Sequence, residues 1–393
     1  MKKRTFQINE LIIFLVVPCF IYLSMGIFRA LFAHGDGYLR WQECAYLLNK
    51  VYPINIINGT VAPIDYIGTL NSDITTVPWA YILSNILYPS FFSWDIARIF
   101  SVCIFILLVI VVCYLVNIFF QKDSFSKKEG FLLCIGIFAH FGWYSSLNKL
   151  NNGMFTCLCI VISMLLLEYT SQTLAIDCTI SFLMSIAMLK PQIALLFYLP
   201  LLFRKRYRAI VLSGILLCSS WCVVSITCQV APLRILLDQF QIGANLHDIS
   251  SYTYYGMFDF LILYGCSSTL LLISQLCLLG SIALYITYKL RKETILVQCC
   301  PLSIISLMWC YNHNMDMEIL CFLSMGSILL LLKCDTLYKL EKIYLLSTLF
   351  FVAVPIPHTL YQWPFVPFIQ RLLFCITVYI ICRHRTKIRR PLT

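Results

Sequence analysis

Charge is what this sequence has least of. Only 12% of its 393 residues are Asp, Glu, Lys or Arg, against roughly 25% in soluble domains. It also lacks any polar tract long enough to make a separate soluble domain, so residues 1–393 read as one integral membrane domain. Glycine-rich phosphate cradles, HExxH and Gly-x-Ser-x-Gly are missing as well. Their absence excludes a nucleotide-binding fold, a zincin centre and a nucleophile elbow. No small-x-small pattern precedes "FRALFAHGDG", so the first apolar segment is expected to be a retained helix rather than a cleaved signal.

What is present is apolar. Hydrophobic residues make up 60% of the chain and its mean hydropathy is +0.84. Runs of near-spanning length recur from end to end, which predicts an all-α, polytopic membrane protein. The 20 cysteines sit mostly inside these runs, as Cys103, Cys113, Cys134 and Cys157 do, where they act as small hydrophobes. Cys299 and Cys300 have no partners at zinc spacing. No metal, catalytic thiol or cofactor is expected.

The net charge of +11 is split into short clusters between apolar runs: "MKKR", "KDSFSKK", "RKRYR", "YKLRK", "KCDTLYKLEK" and "RHRTKIRR". Clusters beside helix ends mark the cytoplasmic side and argue against nucleic acid as a partner. Spans of about twenty residues anchored on them give about twelve helices with both termini cytoplasmic. The helices fall near 11–31, 96–120, 131–147, 154–170, 177–190, 191–203, 209–228, 260–287, 294–311, 316–332, 343–356 and 366–382. The turn "YTSQTLAID" carries no basic residue and is the least anchored. Two long extracytoplasmic loops result, 32–95 and 229–258, and Asp36, Asp65, Asp73, Asp95, Asp238, Asp248, Asp259 and Asp316 all fall on that outer face. Any chemistry is expected there.

The first loop contains "YLRWQECAYLLNKVY", with Leu39, Cys44, Leu47, Leu48 and Val51 towards one face and Arg40, Glu43 and Lys50 towards another. This predicts an amphipathic helix in the interface plane. "TVPWAYILSNILYPSFFSW" reads as interfacial or re-entrant, and "NGT" at 58–60 is a glycosylation sequon.

Within "HGDG", Asp36 lies between two glycines that would let backbone approach a ligand. It follows a spanning helix, at headgroup depth, where a base can meet a reactive end emerging from the bilayer. Glu43 reads as a solvated charge. Lys190 in "LKPQ" suits either an ammonium aimed at a phosphate or a chain snorkelling to the interface. His313 and Asp316 lie in "YNHNMD", where His313 could donate to a phosphate, orient a sugar hydroxyl or simply satisfy its turn. Lys149, Asn151 and Asn152 in "NKLNNG" suit sugar hydroxyls or turn chemistry. Tyr254, in the tyrosine-rich "DISSYTYYGMFD", suits sugar stacking or interface anchoring.

Three stretches resemble the multi-pass C-type glycosyltransferases, specifically glycosyltransferase family 87, the polyprenol-phosphate-mannose-dependent type. They are "GDGYLRWQECAYLLNKVYPI", "NNGMFTCLCIVISMLLLEY" and, nearest to the family pattern, "SFLMSIAMLKPQIALLFYLPLLFRKRYRAI". The family's polar turn more often has Gly-Gln where this chain has "NNGMFT". The resemblance implies inverting transfer of mannose, or a similar hexose or pentose, from a polyprenyl-phosphate donor to a glycolipid or glycan acceptor. It implies Asp36 as general base, with Lys190 and His313 at the departing phosphate. His34, Arg40, Asn151, Asn152 and Tyr254 are then candidates for sugar or acceptor contacts. Membrane lipids are the expected surroundings, in the bacterial inner membrane.

The alternatives are an O-antigen or exopolysaccharide polymerase and a transporter of envelope glycan precursors. The outer arginines, Arg40 and Arg234, are dispersed rather than clustered, which counts against a polymerase. A transporter predicts inverted repeats and mid-span charge, and neither is evident.

Overall fold

The computed structural model describes residues 2–32, 34–70, 79–122, 125–238, 268–309, 314–354 and 365–388. Among these every regular element is helical. The first apolar segment forms α1 (Lys2–Ala30). Three shorter helices follow in the first loop: α2 (Asp36–Leu48), α3 (Pro53–Ile57) and α4 (Ala80–Leu87). Then come α5 (Trp94–Lys122), α6 (Lys127–Phe138), α7 (Phe141–Lys149), α8 (Asn152–Tyr169) and α9 (Leu174–Ala187). The segment after "LKPQ" is broken into α10 (Pro191–Ala194), a 3-10 turn and α11 (Tyr198–Phe203). The chain continues as α12 (Tyr207–Cys228), α13 (Ser268–Leu290), α14 (Ile295–Ser306), a 3-10 segment (Asn314–Leu320), α15 (Cys321–Lys333), α16 (Lys339–Ala353) and α17 (Phe365–Arg383).

Helical segments thus occupy the places that apolar periodicity predicts, but length divides them. Among the described residues, five helices are long and apolar enough to cross a membrane, within α1, α5, α8, α12 and α13. A sixth arises if α6 and α7, bent by 53° at residues 139–140, count as one span. The 12 residues of α14 rise only about 18 Å at 1.5 Å each, short of a hydrocarbon core of about 30 Å. The expected loop 229–258 lies mostly outside the described residues.

Burial separates the roles of the long helices. Of the apolar window of α8, 89% is buried within the protein, against 17% for α1. α8 is the central post, packed by α5 and α9. α1, α5, α12 and α13 turn large apolar side chains outward, among them Ile13, Phe20, Leu107, Ile110, Ile226 and Leu270. Apolar area this extensive is stable only against lipid or a partner.

Three of the basic clusters, "RKRYR", "KCDTLYKLEK" and "RHRTKIRR", meet the turn after "YKLRK" at one end of the bundle. Arg204 donates to the Glu293 carbonyl at 2.6 Å and pairs with Glu168 at 3.4 Å. Arg385 pairs with Glu293, and Arg383 and His384 with Glu341. Arg206 donates to Asp177 Oδ1 at 3.0 Å and to the Thr170 carbonyl at 2.9 Å. That last bridge brings the uncharged turn after α8 to the same end as "RKRYR".

The first loop departs from the amphipathic expectation. α2 buries Trp41, Gln42, Glu43, Cys44, Ala45, Tyr46 and Leu47, while Leu48 is exposed. Its charged side is therefore turned into the protein, because Glu43 is matched there by Arg40 at 2.7 Å.

The Asp177–Arg206 pair is fully internal, and removing one partner strands the other charge. Asp177→Ala is expected to cost about 3–5 kcal/mol, read as a lower Tm of the purified full-length protein. Asp95→Ala, which removes the exposed partner of Arg98, is expected to cost at most about 1 kcal/mol and to leave Tm nearly unchanged.

Candidate functional site

The site grows from the joint between α7 and α8. Lys149 ends α7, and Leu150 follows in the left-handed region at φ 50°, ψ 47°. That conformation is unusual for a non-glycine residue and costs about 1–3 kcal/mol unless the surroundings impose it. Here Leu150 is fully buried, and Tyr88 donates its hydroxyl to the Leu150 carbonyl at 2.6 Å. The turn delivers Asn151 as N-cap of α8, its Oδ1 accepting from Gly153 N at 2.8 Å.

The N-terminus of α2 docks on this turn, which explains "HGDG". A Cβ on Gly35 would stand 2.8 Å from the Lys149 Cα and carbonyl oxygen, and one on Gly37 would stand 2.7 Å from Leu150 Cβ. The two glycines admit the chain's own backbone at 149–150, where the sequence pointed to a ligand. Between them Asp36 opens α2 and accepts a 2.5 Å hydrogen bond at Oδ2 from Asn151 Nδ2. One asparagine therefore starts α8 with its oxygen and holds Asp36 with its nitrogen.

Arg40 lies near Asp36, one turn along α2. Burial acts to lower its pKa, but Glu43 and then Asp36 outweigh burial and leave the guanidinium above its ordinary value. Burial pushes the Tyr88 hydroxyl well above its usual range, Arg40 opposing and Asp36 adding to the shift. Tyr88 therefore stays a neutral donor to Leu150.

Lys190 reaches the same place from α9. Pro191 starts α10 and holds Lys190 extended at φ −124°, ψ 80°. Two indoles pin the break: Trp79 Nε1 donates to the Met188 carbonyl at 3.0 Å and Trp309 Nε1 to that of Gln192 at 2.6 Å. Thr156 of α8 ties on the Ala187 carbonyl at 3.0 Å. The Lys190 ammonium is ion-paired with Asp316, in the 3-10 segment before α15. Two residues on, Glu318 Oε1 accepts from Ser146 Oγ at 2.9 Å.

Gly153 marks where these groups converge. A Cβ there would lie 2.5 Å from Glu318 Oε1, 3.2 Å from Lys190 Nζ and 3.2 Å from Asn151 Oδ1. The 3-10 segment lies outside the long spanning helices. Burial first, then the Asp316 charge, raise the Glu318 carboxyl to about 8, with Lys190 acting the other way. One ammonium thus balances one carboxylate, Asp316, and Glu318 holds its proton at neutral pH.

Of the residues singled out in the sequence, Asp36, Asn151, Asn152 and Lys190 are brought to one end of α8. Arg40 lies beside them, paired with Glu43. His34 does not join them: it is exposed and makes an edge contact with Tyr38 at 5.4 Å. It rims a separate cleft with Trp41, Asn49, Tyr66 and Trp94. His313 and Tyr254 lie outside the described residues. Sequence reasoning missed Glu318, Ser146 and Tyr88, and it left Asp316 without a role. The signal for Glu318 was present in "NMDME", where two acidic residues two apart interrupt an apolar context.

Gly153 yields a paired prediction. Gly→Ala inside a helix ordinarily stabilises by about 1 kcal/mol. Gly214→Ala, in α12 with nothing near its Cβ, is expected to raise Tm or leave it unchanged. Gly153→Ala is expected to lower Tm and to abolish activity in membranes, because the methyl displaces Lys190 and Glu318.

The model of glycosyltransferase family 87 matches residues 78–310. No curated protein and no solved structure matches the chain. The matched stretch contains the "NNG" turn and Lys190. Asp36 precedes it, and Asp316 and Glu318 follow it, joined to it by the contacts above. The match covers more than half of the 393 residues, and the chain belongs to glycosyltransferase family 87 as a membrane glycosyltransferase.

Proposed function

We propose that the protein transfers a sugar, mannose or a similar hexose or pentose, from a polyprenyl-phosphate donor to a hydroxyl of a glycolipid or glycan. The reaction takes place on the extracytoplasmic face, with inversion, and Asp36 is the general base. The observation that carries this reading is the Asp36 carboxylate held by Asn151 at the end of α8 where Lys190 also arrives. A fixed carboxylate and a buried ammonium at the same end of an apolar bundle suit a donor whose lipid stays in the bilayer while its sugar phosphate reaches the surface.

In this mechanism the acceptor hydroxyl gives its proton to Asp36 as its oxygen forms a bond to the anomeric carbon. The bond from that carbon to the phosphate oxygen breaks, and the electron pair leaves with the lipid phosphate. Charge grows on the phosphate, and preorganised donors lower the barrier there. Lys190 supplies such donors: an ammonium has three N–H groups, and Asp316 does not exhaust them. His313, three residues before Asp316 in the sequence, is a second candidate. Arg40, Asn152 and Tyr254 are the proposed sugar and acceptor contacts; His34 lies at a separate cleft, and both polar ends of Asn151 are taken, by Gly153 and Asp36. About twelve membrane-embedded segments, short helices such as α14 among them, in a C-type glycosyltransferase arrangement, with both termini cytoplasmic in the bacterial inner membrane, complete the reading. The gathering of basic clusters at the opposite end supports that orientation.

Asp36→Asn keeps the shape and removes the base. Transfer from polyprenyl-phosphate mannose in isolated membranes is expected to fall about 10²–10⁴-fold, with the protein level unchanged. A rate near wild type overturns the assignment of Asp36.

A further inference from the structure

Glu318 has no part in the proposed mechanism, and the contact proposed for Asn152 does not say which part of the substrate it meets. Glu318 is fully buried, and Asn152 is only 6% exposed. Glu318 Oε2 and Asn152 Oδ1 both lack a hydrogen-bond partner among the described residues. An unsatisfied buried polar atom is destabilising, so two near one end of α8 need a reason. Nor is the Glu318 carboxyl there by default. It occupies a slot that exists because two neighbours are glycines: a Cβ on Gly142 would lie 3.0 Å from Oε2, and one on Gly153 would lie 2.5 Å from Oε1. Ser146 holds Oε1 and leaves Oε2 open.

We infer that Glu318 and Asn152 form the hydroxyl-reading subsite for the donor sugar, beside Lys190. The inference rests on the donor proposed above. A pyranose or furanose ring offers hydroxyls that each donate one hydrogen bond and accept others, which is what open carboxyl and amide oxygens require. With its proton retained, Glu318 can also donate, so a hydroxyl can be held in either sense without burying an unpaired charge. Lys190, 3.2 Å from the same Gly153 Cβ position, places the sugar's phosphate end beside the subsite. Glu318 then reads which hydroxyl the sugar carries, while Asp36 acts on the acceptor.

The test uses the full-length protein in membranes, with polyprenyl-phosphate mannose and its 2-, 3-, 4- and 6-deoxy analogues. A site built around a hydroxyl discriminates strongly against its loss. The wild type is expected to prefer the parent donor over one analogue by at least about tenfold in kcat/KM. Glu318→Met, of similar size but unable to pair with a hydroxyl, is expected to reduce that ratio towards unity, mainly by slowing the parent donor. A merely structural glutamate would slow all donors alike and leave every ratio unchanged, which overturns the inference. If Glu318→Met does not accumulate, Asn152→Ala is run on the same donors, and unchanged ratios there overturn it equally. Wild type that transfers from no lipid-phosphate sugar removes the donor reading and this inference with it. Wild type that transfers, with ratios unmoved in the variants, removes this inference alone.

Discussion

The site depends on the two hydrogen bonds of Asn151. Its carboxamide oxygen caps α8, the most buried long helix of the bundle, and its nitrogen holds the Asp36 carboxylate. A helix end leaves backbone N–H groups that need a partner, so the orientation of this side chain is set by the start of α8. Because the amide is planar, fixing its oxygen fixes its nitrogen. The stability of the central post and the position of the candidate base are thereby one constraint.

Around that residue the structure accepts local costs in order to bring backbones close. Leu150 takes a left-handed conformation, and Gly35 and Gly37 give up side chains so that α2 can sit on the turn. Gly142 and Gly153 do the same for Glu318. Lys190 and Asp316 come from segments far apart in sequence and meet as a pair whose charges cancel, as a low-dielectric interior requires. The opposite end of the bundle carries the arginine clusters, bound to Glu168, Asp177, Glu293 and Glu341. One end that gathers Asp36, Lys190, Asp316 and Glu318, and an opposite end that gathers arginines, fit one membrane enzyme.

The positions of the helices were legible in the sequence because apolar runs and basic clusters are strong, local signals. Asp36, Asn151 and Lys190 were legible as departures from that background. Their mutual contact was not, since Asn151 is 115 residues from Asp36 and pairing over such a distance leaves no periodic trace. The glycines of "HGDG" were noticed for the right property, close approach, but what approaches is the Lys149–Leu150 backbone. The reading of α2 failed for a physical reason. Arg40 and Glu43 satisfy each other, so a face that looks polar in the sequence can be buried. Glu318 went unseen because its meaning lies in Gly142, Gly153 and Ser146, none of which is conspicuous alone.

Asn151 holds the proposed base, Asp36, as well as capping α8. Steady-state transfer by Asn151→Ala, measured beside its thermal unfolding, tests it most directly. Loss of the cap alone costs about 1 kcal/mol of stability. Asn151→Ala is expected to show that modest fall in Tm together with a drop in kcat of about tenfold or more, because a misplaced base transfers protons poorly. A variant with the lowered Tm and an unchanged kcat would contradict it.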